Sequence, residues 1–308
     1  MSQPPRIGSS NRSQVDAPGL GIACMVAGGM LISVNNAILK SISTTIPLGE
    51  VICLRALVSI ALITAFVMAR GQVHDLRVTQ HSVHLLRGVL QVGSMFLFIG
   101  ALRALPLIDA MTLVYIGPLI ITALAPVTLG ERVGWHRWSA VLIGFAGVVV
   151  MLRPGGDSLH WAAIIPVGAA FVGALRDIIT RRMSAGNTSV GILFYTSCIV
   201  ALVSAVTLPL GWEVPSWHDI ALIVIAGAIV TTSLFLLIEA LRFAQASTVS
   251  PFRYVALIWA GVLGFLMFGE VPDVWTIAGG LLIVLAGIYL IHRETRRPTR
   301  TPSSDQVP

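Results

Sequence analysis

Ten apolar runs, each about the length of a bilayer-spanning helix, leave this chain few ways to fold. They cover approximately residues 19–39, 47–69, 83–102, 106–129, 135–152, 159–180, 190–210, 218–241, 247–268 and 274–292. A hydrocarbon core of about 30 Å takes about 20 residues of apolar helix. Leu, Ile, Val and Ala fill the runs without the two-residue alternation of a membrane barrel strand, so the spacing predicts helices.

Composition closes off the soluble alternatives. Charged residues are 11% of the 308 and apolar residues 56%, whereas an ordinary soluble domain carries about 25% charged residues. Too few polar side chains remain to cover an exterior. Cys24, Cys53 and Cys198 are odd in number and embedded in apolar runs, which excludes a secreted disulfide scaffold. The chain therefore reads as an all-α integral membrane protein whose first partner is the lipid bilayer.

The net charge of +6 follows membrane topology and does not mark a nucleic-acid surface. With the N-terminus in the cytoplasm, thirteen arginines fall in cytoplasmic segments, while the other side holds Lys40, Arg103 and Arg153. That asymmetry predicts both termini inside, in the inner (plasma) membrane. Trp135, Trp138, Trp161, Trp212, Trp217 and Trp275 fall at span edges, as interfacial anchors do.

A long-range repeat divides the spans. At an offset of 139 positions, Ala101-Leu102-Arg103 aligns with Ala240-Leu241-Arg242, Tyr115 with Tyr254, and Gly130-Glu131 with Gly269-Glu270. Past one inserted residue, Trp135 meets Trp275 and Gly147 meets Gly287. The expected organisation is a polar cytoplasmic segment over 1–18, five helices over 19–152, five more over 153–292, and a disordered basic cytoplasmic tail over 293–308. An odd number of spans per half forces the halves into opposite orientations, the inverted repeat of secondary transporters, which bind substrate near the midplane.

The stretch from Leu85 to Gly155, with Arg87-Gly88, Ala101-Leu102-Arg103, Pro118, Gly130-Glu131-Arg132 and the Gly144/Gly147 helix, resembles the EamA repeat of the drug/metabolite transporter superfamily. The second half resembles it more loosely, with Leu257 in place of Pro118 and Val271 in place of Arg132. The resemblance implies a ten-helix carrier with a central cavity between the repeats. It also implies export of a small metabolite or drug as the first reading. Uptake of a vitamin or an adenosyl-type metabolite, such as S-adenosylmethionine, is the alternative.

Ionisable groups within a span cost several kcal/mol and are functional candidates. Arg55, Arg176 and Arg253 are such groups, and their guanidinium forks suit a carboxylate or phosphate on the substrate. Each could instead fix helix packing, and Arg176 lies close enough to a helix end to snorkel. Among neutral groups, Asn35, Gln91, Tyr115, Tyr195 and Tyr254 need partners in hydrocarbon, and Trp259 could stack on a planar ligand. Tyr115 and Tyr254 stand out because they occupy equivalent places in the two halves. Glu131 and Glu270, each in a short turn, read as caps of the helix that follows.

Other classes lack their marks. There is no G-x-x-x-x-G-K-[ST] loop and no H-E-x-x-H site, and all seven histidines fall in loops or at span ends, so no cofactor, metal or catalytic group is expected. A transferase would need a clustered acid–base pair, and a channel would need repeated filter segments. Homodimer formation is left open.

Overall fold

The computed structural model describes residues 17–76, 78–128, 133–152, 161–183, 188–244 and 246–295. Residues 1–16, the Gly130-Glu131-Arg132 turn, Arg77, Arg153, His160 and the tail beyond Thr295 lie outside the described residues, as do the side chains of Arg181, Arg182 and Arg242. Among the described residues every element is helical.

Twelve α-helices result: α1 (Pro18–Ser43), α2 (Leu48–Ala69), α3 (His81–Ala104), α4 (Leu107–Val114), α5 (Gly117–Thr128), α6 (Trp135–Leu152), α7 (Ile164–Met183), α8 (Ser189–Ala205), α9 (Trp217–Phe243), α10 (Ala246–Val249), α11 (Val255–Phe268) and α12 (Val274–Thr295). Eight helical runs are long and apolar enough to cross a membrane, with α4 and α5 taken together as one of them. The remaining two expected spans fall short for different reasons. The apolar part of α8 is only Val190–Ala205, and α7 carries Arg176, Asp177, Arg181 and Arg182 in its second half.

Two expected spans are broken helices, and proline explains both. Pro118 has no N–H to return to Val114, so α4 ends there and α5 starts anew. Pro251 likewise interrupts α10, and the chain passes through a 3₁₀ turn, Ser250–Tyr254, before α11. The prolines are not at equivalent positions. The breaks are: Tyr115 closes α4 and Tyr254 precedes α11.

Small residues set the helix pairing. α1 runs antiparallel to α9, with Ser233 Oγ donating to Gly28 O at 2.7 Å. α3 runs antiparallel to α7, with Ser94 Oγ donating to Ala169 O at 2.9 Å. α1 also packs on α11 through Ser33 Oγ and Ala256 O, 2.8 Å apart. α2 lies on α8, and α6 on α12. In that last pair Gly147 and Gly279 let the backbones meet: a Cβ on Gly147 would stand 2.6 Å from Gly279 O. Contacts this close are how lipid-immersed helices associate, since apolar burial gives no drive there.

The bundle has two ends. At the near end, where α1 begins, Ala17 N–H donates to Phe243 O, and Tyr289 Oη lies 3.1 Å from His136 Nδ1. At the far end, Arg103 Nη2 donates to Ile46 O at 2.8 Å, and Glu213 N–H donates to Glu50 Oε2 at 3.3 Å.

Candidate functional site

One face of α3 carries polar groups in helical register. His84, Arg87, Gln91 and Met95 are spaced three or four apart and share that face. Each meets a different neighbour. The His84 ring lies 5.7 Å from the Tyr195 ring on α8, which also lies 5.6 Å from the His81 ring. Arg87 Nε donates to Thr180 Oγ1 at 2.8 Å on α7, and its Nη1 donates to Thr196 Oγ1 on α8. Gln91 Oε1 accepts from Arg176 Nη1 at 2.6 Å. Met95 Sδ lies 3.9 Å from Arg55 Nη2.

The charges on this ladder are not balanced. Arg176 holds Asp177 through Nε and Nη2 at 2.9 and 2.6 Å. Arg87 is held by hydroxyls. Arg55 is 9% exposed, and among the described residues its guanidinium reaches only a thioether. Among the described residues, three buried or half-buried cations therefore stand beside one carboxylate, which leaves the ladder attractive to an anion.

A second cluster forms at the helix breaks. The Tyr115 and Tyr254 rings lie 5.4 Å apart, tilted by 44°, within the range of favourable aromatic pairs. Tyr115 Oη donates to Arg253 O at 3.3 Å. On α1 and α11, which pack together, Asn35 Oδ1 and Trp259 Nε1 are buried without a hydrogen-bond partner among the described residues. One is an acceptor and the other a donor, and a buried polar atom of either kind normally has a partner.

The structure thus brings Gln91 to Arg176, Tyr195 to the start of α3, and Tyr115 to Tyr254 and Arg253. No hydrogen bond among the described residues links Arg55 to Arg253 or to either tyrosine. Arg253, expected within a span, is exposed on the 3₁₀ turn. Two cavities lie at opposite ends of the bundle. A far-end cavity of about 180 Å³ is lined by Asp109, Asp273 and Thr276, and a near-end groove of about 460 Å³ by Leu90, Leu175 and Ile179. Neither is lined by Arg55, Tyr115 or Tyr254.

Arg87 is the member that motif reading left without a role. The signal was present: it lies four residues before Gln91, so any helix that points Gln91 inward points Arg87 the same way. Glu270 also differs from expectation. It caps α4 of the other half, accepting Leu107 N–H at 2.7 Å, in place of the following helix.

Apolar helices of spanning length that sequester polar side chains between them define a multi-pass membrane protein. The EamA-like transporter family matches the chain twice, over residues 19–153 and 160–293. The chain belongs to that family, within the drug/metabolite transporter superfamily, and is a transporter. It is 28% identical to an S-adenosylmethionine uptake transporter of Rickettsia bellii, over 90% of this chain and 95% of the relative. It is 28% identical to a riboflavin transporter of Vibrio cholerae over 92% and 96%, and 27% identical to a pseudopaline exporter of Pseudomonas aeruginosa over 88% and 95%. A solved crystal structure, 19% identical, superposes with a TM-score of 0.63 over 90% of this chain and 99% of that one, a likeness of fold.

Proposed function

We propose that the chain is a secondary carrier, not an enzyme, for a small metabolite with an anionic group and a planar ring. It works by alternating access between two inverted five-helix repeats. The observation that carries the substrate class is Arg55: a buried guanidinium with no carboxylate partner among the described residues. Such a charge is costly in a helix bundle unless a ligand anion completes it. The Tyr115–Tyr254 pair and Trp259 supply aromatic faces, and Asn35 and Gln91 supply amides on α1 and α3.

The repeat reading draws support from the packing. Exchanging α1–α6 for α7–α12 in order turns the α1–α9 pair into α7–α3, and α2–α9 into α8–α3. The pairs α2–α8 and α6–α12 turn into themselves. In this reading the broken runs count as single spans, giving ten spans with α7 and α8 included. Both termini face the cytoplasm from the inner (plasma) membrane, which makes the far end the outer one.

S-adenosylmethionine and riboflavin, which two relatives are named for, each carry a fused nitrogen heteroaromatic ring, and the first also carries a carboxylate. We take uptake of a compound of that kind as the function. The exporter among the relatives makes outward movement the second reading.

Thermal shift of the purified chain against both compounds tests the substrate class. A ligand that binds the folded state at a hundred times its Kd adds about 2.7 kcal/mol. S-adenosylmethionine, which carries the carboxylate, should raise the melting temperature of the native chain and leave Arg55→Ala unmoved. Equal shifts in both proteins would remove Arg55 from the site.

A further inference from the structure

Lys40 is the only lysine among the 20 Lys and Arg residues of the chain. It stands in the last turn of α1 at the far end. Its Nζ donates to Glu270 Oε1 and, at 2.6 Å, to Leu105 O, and it lies 5.2 Å from the centre of the Phe268 ring. The other oxygen of Glu270 holds Leu107 N–H. The Lys40 and Glu270 side chains are 13% and 17% exposed. One ion pair therefore ties together the end of α1, the α3–α4 turn and the α11–α12 turn.

That knot crosses the seam between the two family matches. Lys40, Leu105 and Leu107 belong to the first, and Phe268 and Glu270 to the second. Thr276 Oγ1, which donates to Asp109 Oδ1 at 2.9 Å, crosses the same seam nearby. If the two halves rock against each other, the far end cannot open while the knot holds.

The residue type matters. A guanidinium grips a carboxylate with two parallel N–H donors, whereas an ammonium is a compact, strongly hydrated point charge. The lysine gives up less geometry on release and regains more hydration. At the other 19 of those 20 positions the chain uses arginine. We infer that Lys40 and Glu270 form a releasable latch on the far gate, whose strength sets how much of the protein stands open on that side. The inference rests on the alternating-access reading but is independent of which solute is carried.

The test uses thiol labelling without any solute. Asn36 is buried one turn below Lys40 on the same helix, so Asn36→Cys reports entry past the knot. In a background with Cys24, Cys53 and Cys198 changed to Ser, a membrane-impermeant maleimide is applied to reconstituted protein. Lys40→Gln and Glu270→Gln should each raise the labelling rate about tenfold, the ratio that about 1.4 kcal/mol produces. The double variant should label no faster than either single one. Lys40→Arg should label more slowly than the parent. Hydrogen exchange at Leu107, read in the otherwise native chain, should follow the same order. Unchanged labelling and exchange in all variants, with melting temperatures falling together, would make the pair a static brace and overturn the inference. Failure of a transport assay leaves this readout intact.

Discussion

Tyr115 and Tyr254 stand 139 positions apart in the chain, yet their rings lie 5.4 Å apart, each at the point where its own helix breaks. The pairing depends on a glycine. A Cβ on Gly287 of α12 would overlap the Tyr254 hydroxyl, so Gly287 makes room for the hydroxyl end of that ring. An aromatic pair contributes about 0.5–1.5 kcal/mol beyond its buried area, so loss of one ring should weaken a stacked ligand about three- to tenfold. Tyr254→Ala and Gly287→Ala should both show that loss in isothermal titration with a ring-bearing ligand, and Tyr254→Phe should not. Equal affinity in all three variants would leave the tyrosines as packing.

Arg55 and Lys40 should respond oppositely to an apolar replacement. Arg55→Leu deletes a buried charge whose neighbour is a thioether, so among the described residues it strands no partner. Its melting temperature should hold or rise, while binding is lost. Lys40→Leu strands Glu270 with part of its hydrogen bonding unmet, a cost of about 1–3 kcal/mol. Melting curves in detergent separate the two. A large fall for Arg55→Leu would mean that the guanidinium holds the bundle together.

The polar ladder predicts a graded series along α3. Arg87→Gln keeps a donor for Thr180 or Thr196 but removes the charge. It should weaken an anionic ligand severalfold, the scale of a charge-assisted hydrogen bond of about 1.5–3 kcal/mol made partly neutral. A neutral ligand should bind unchanged. Titration with the two ligand types reads the difference, and an equal loss for both would point to distortion of α7.

The contact of α6 with α12 is a matter of volume alone. Gly147→Val places methyl groups against Gly279 O, which is backbone and cannot swing aside. Overpacking of this kind costs about 1–3 kcal/mol. The melting temperature should fall while binding per folded molecule is retained, since neither the ladder nor Arg55 touches that seam. Loss of affinity in the folded fraction would tie the seam to the site.

The membrane class and the family could be read from the residues, because hydropathy over 20 positions is local information and Gly130-Glu131 or Arg87-Gly88 are contiguous marks. The helix breaks could be read only in part. Pro118 gives one away, but Pro251 interrupts the second run six residues before the position equivalent to Pro118, where only the fold makes the two breaks coincide at Tyr115 and Tyr254. The partners of the charged groups were out of reach for a physical reason. Arg176 lies 85 positions from Gln91, and Glu270 lies 230 from Lys40. Helix periodicity gives the face a residue occupies and says nothing of which helix will lie against it. Glu270 is the clearest case: its turn suggested a cap for α12, but the α3–α4 turn packs close enough to offer Leu107 N–H first.

The central claim is that a solute is carried through this chain by way of Arg55. Counterflow in proteoliposomes preloaded with unlabelled S-adenosylmethionine, with the labelled compound outside, measures it directly. The native chain should give a saturable overshoot of label, and Arg55→Ala, reconstituted to the same density, should give none. Flux that rises linearly with concentration, or an overshoot that survives Arg55→Ala, would contradict the account.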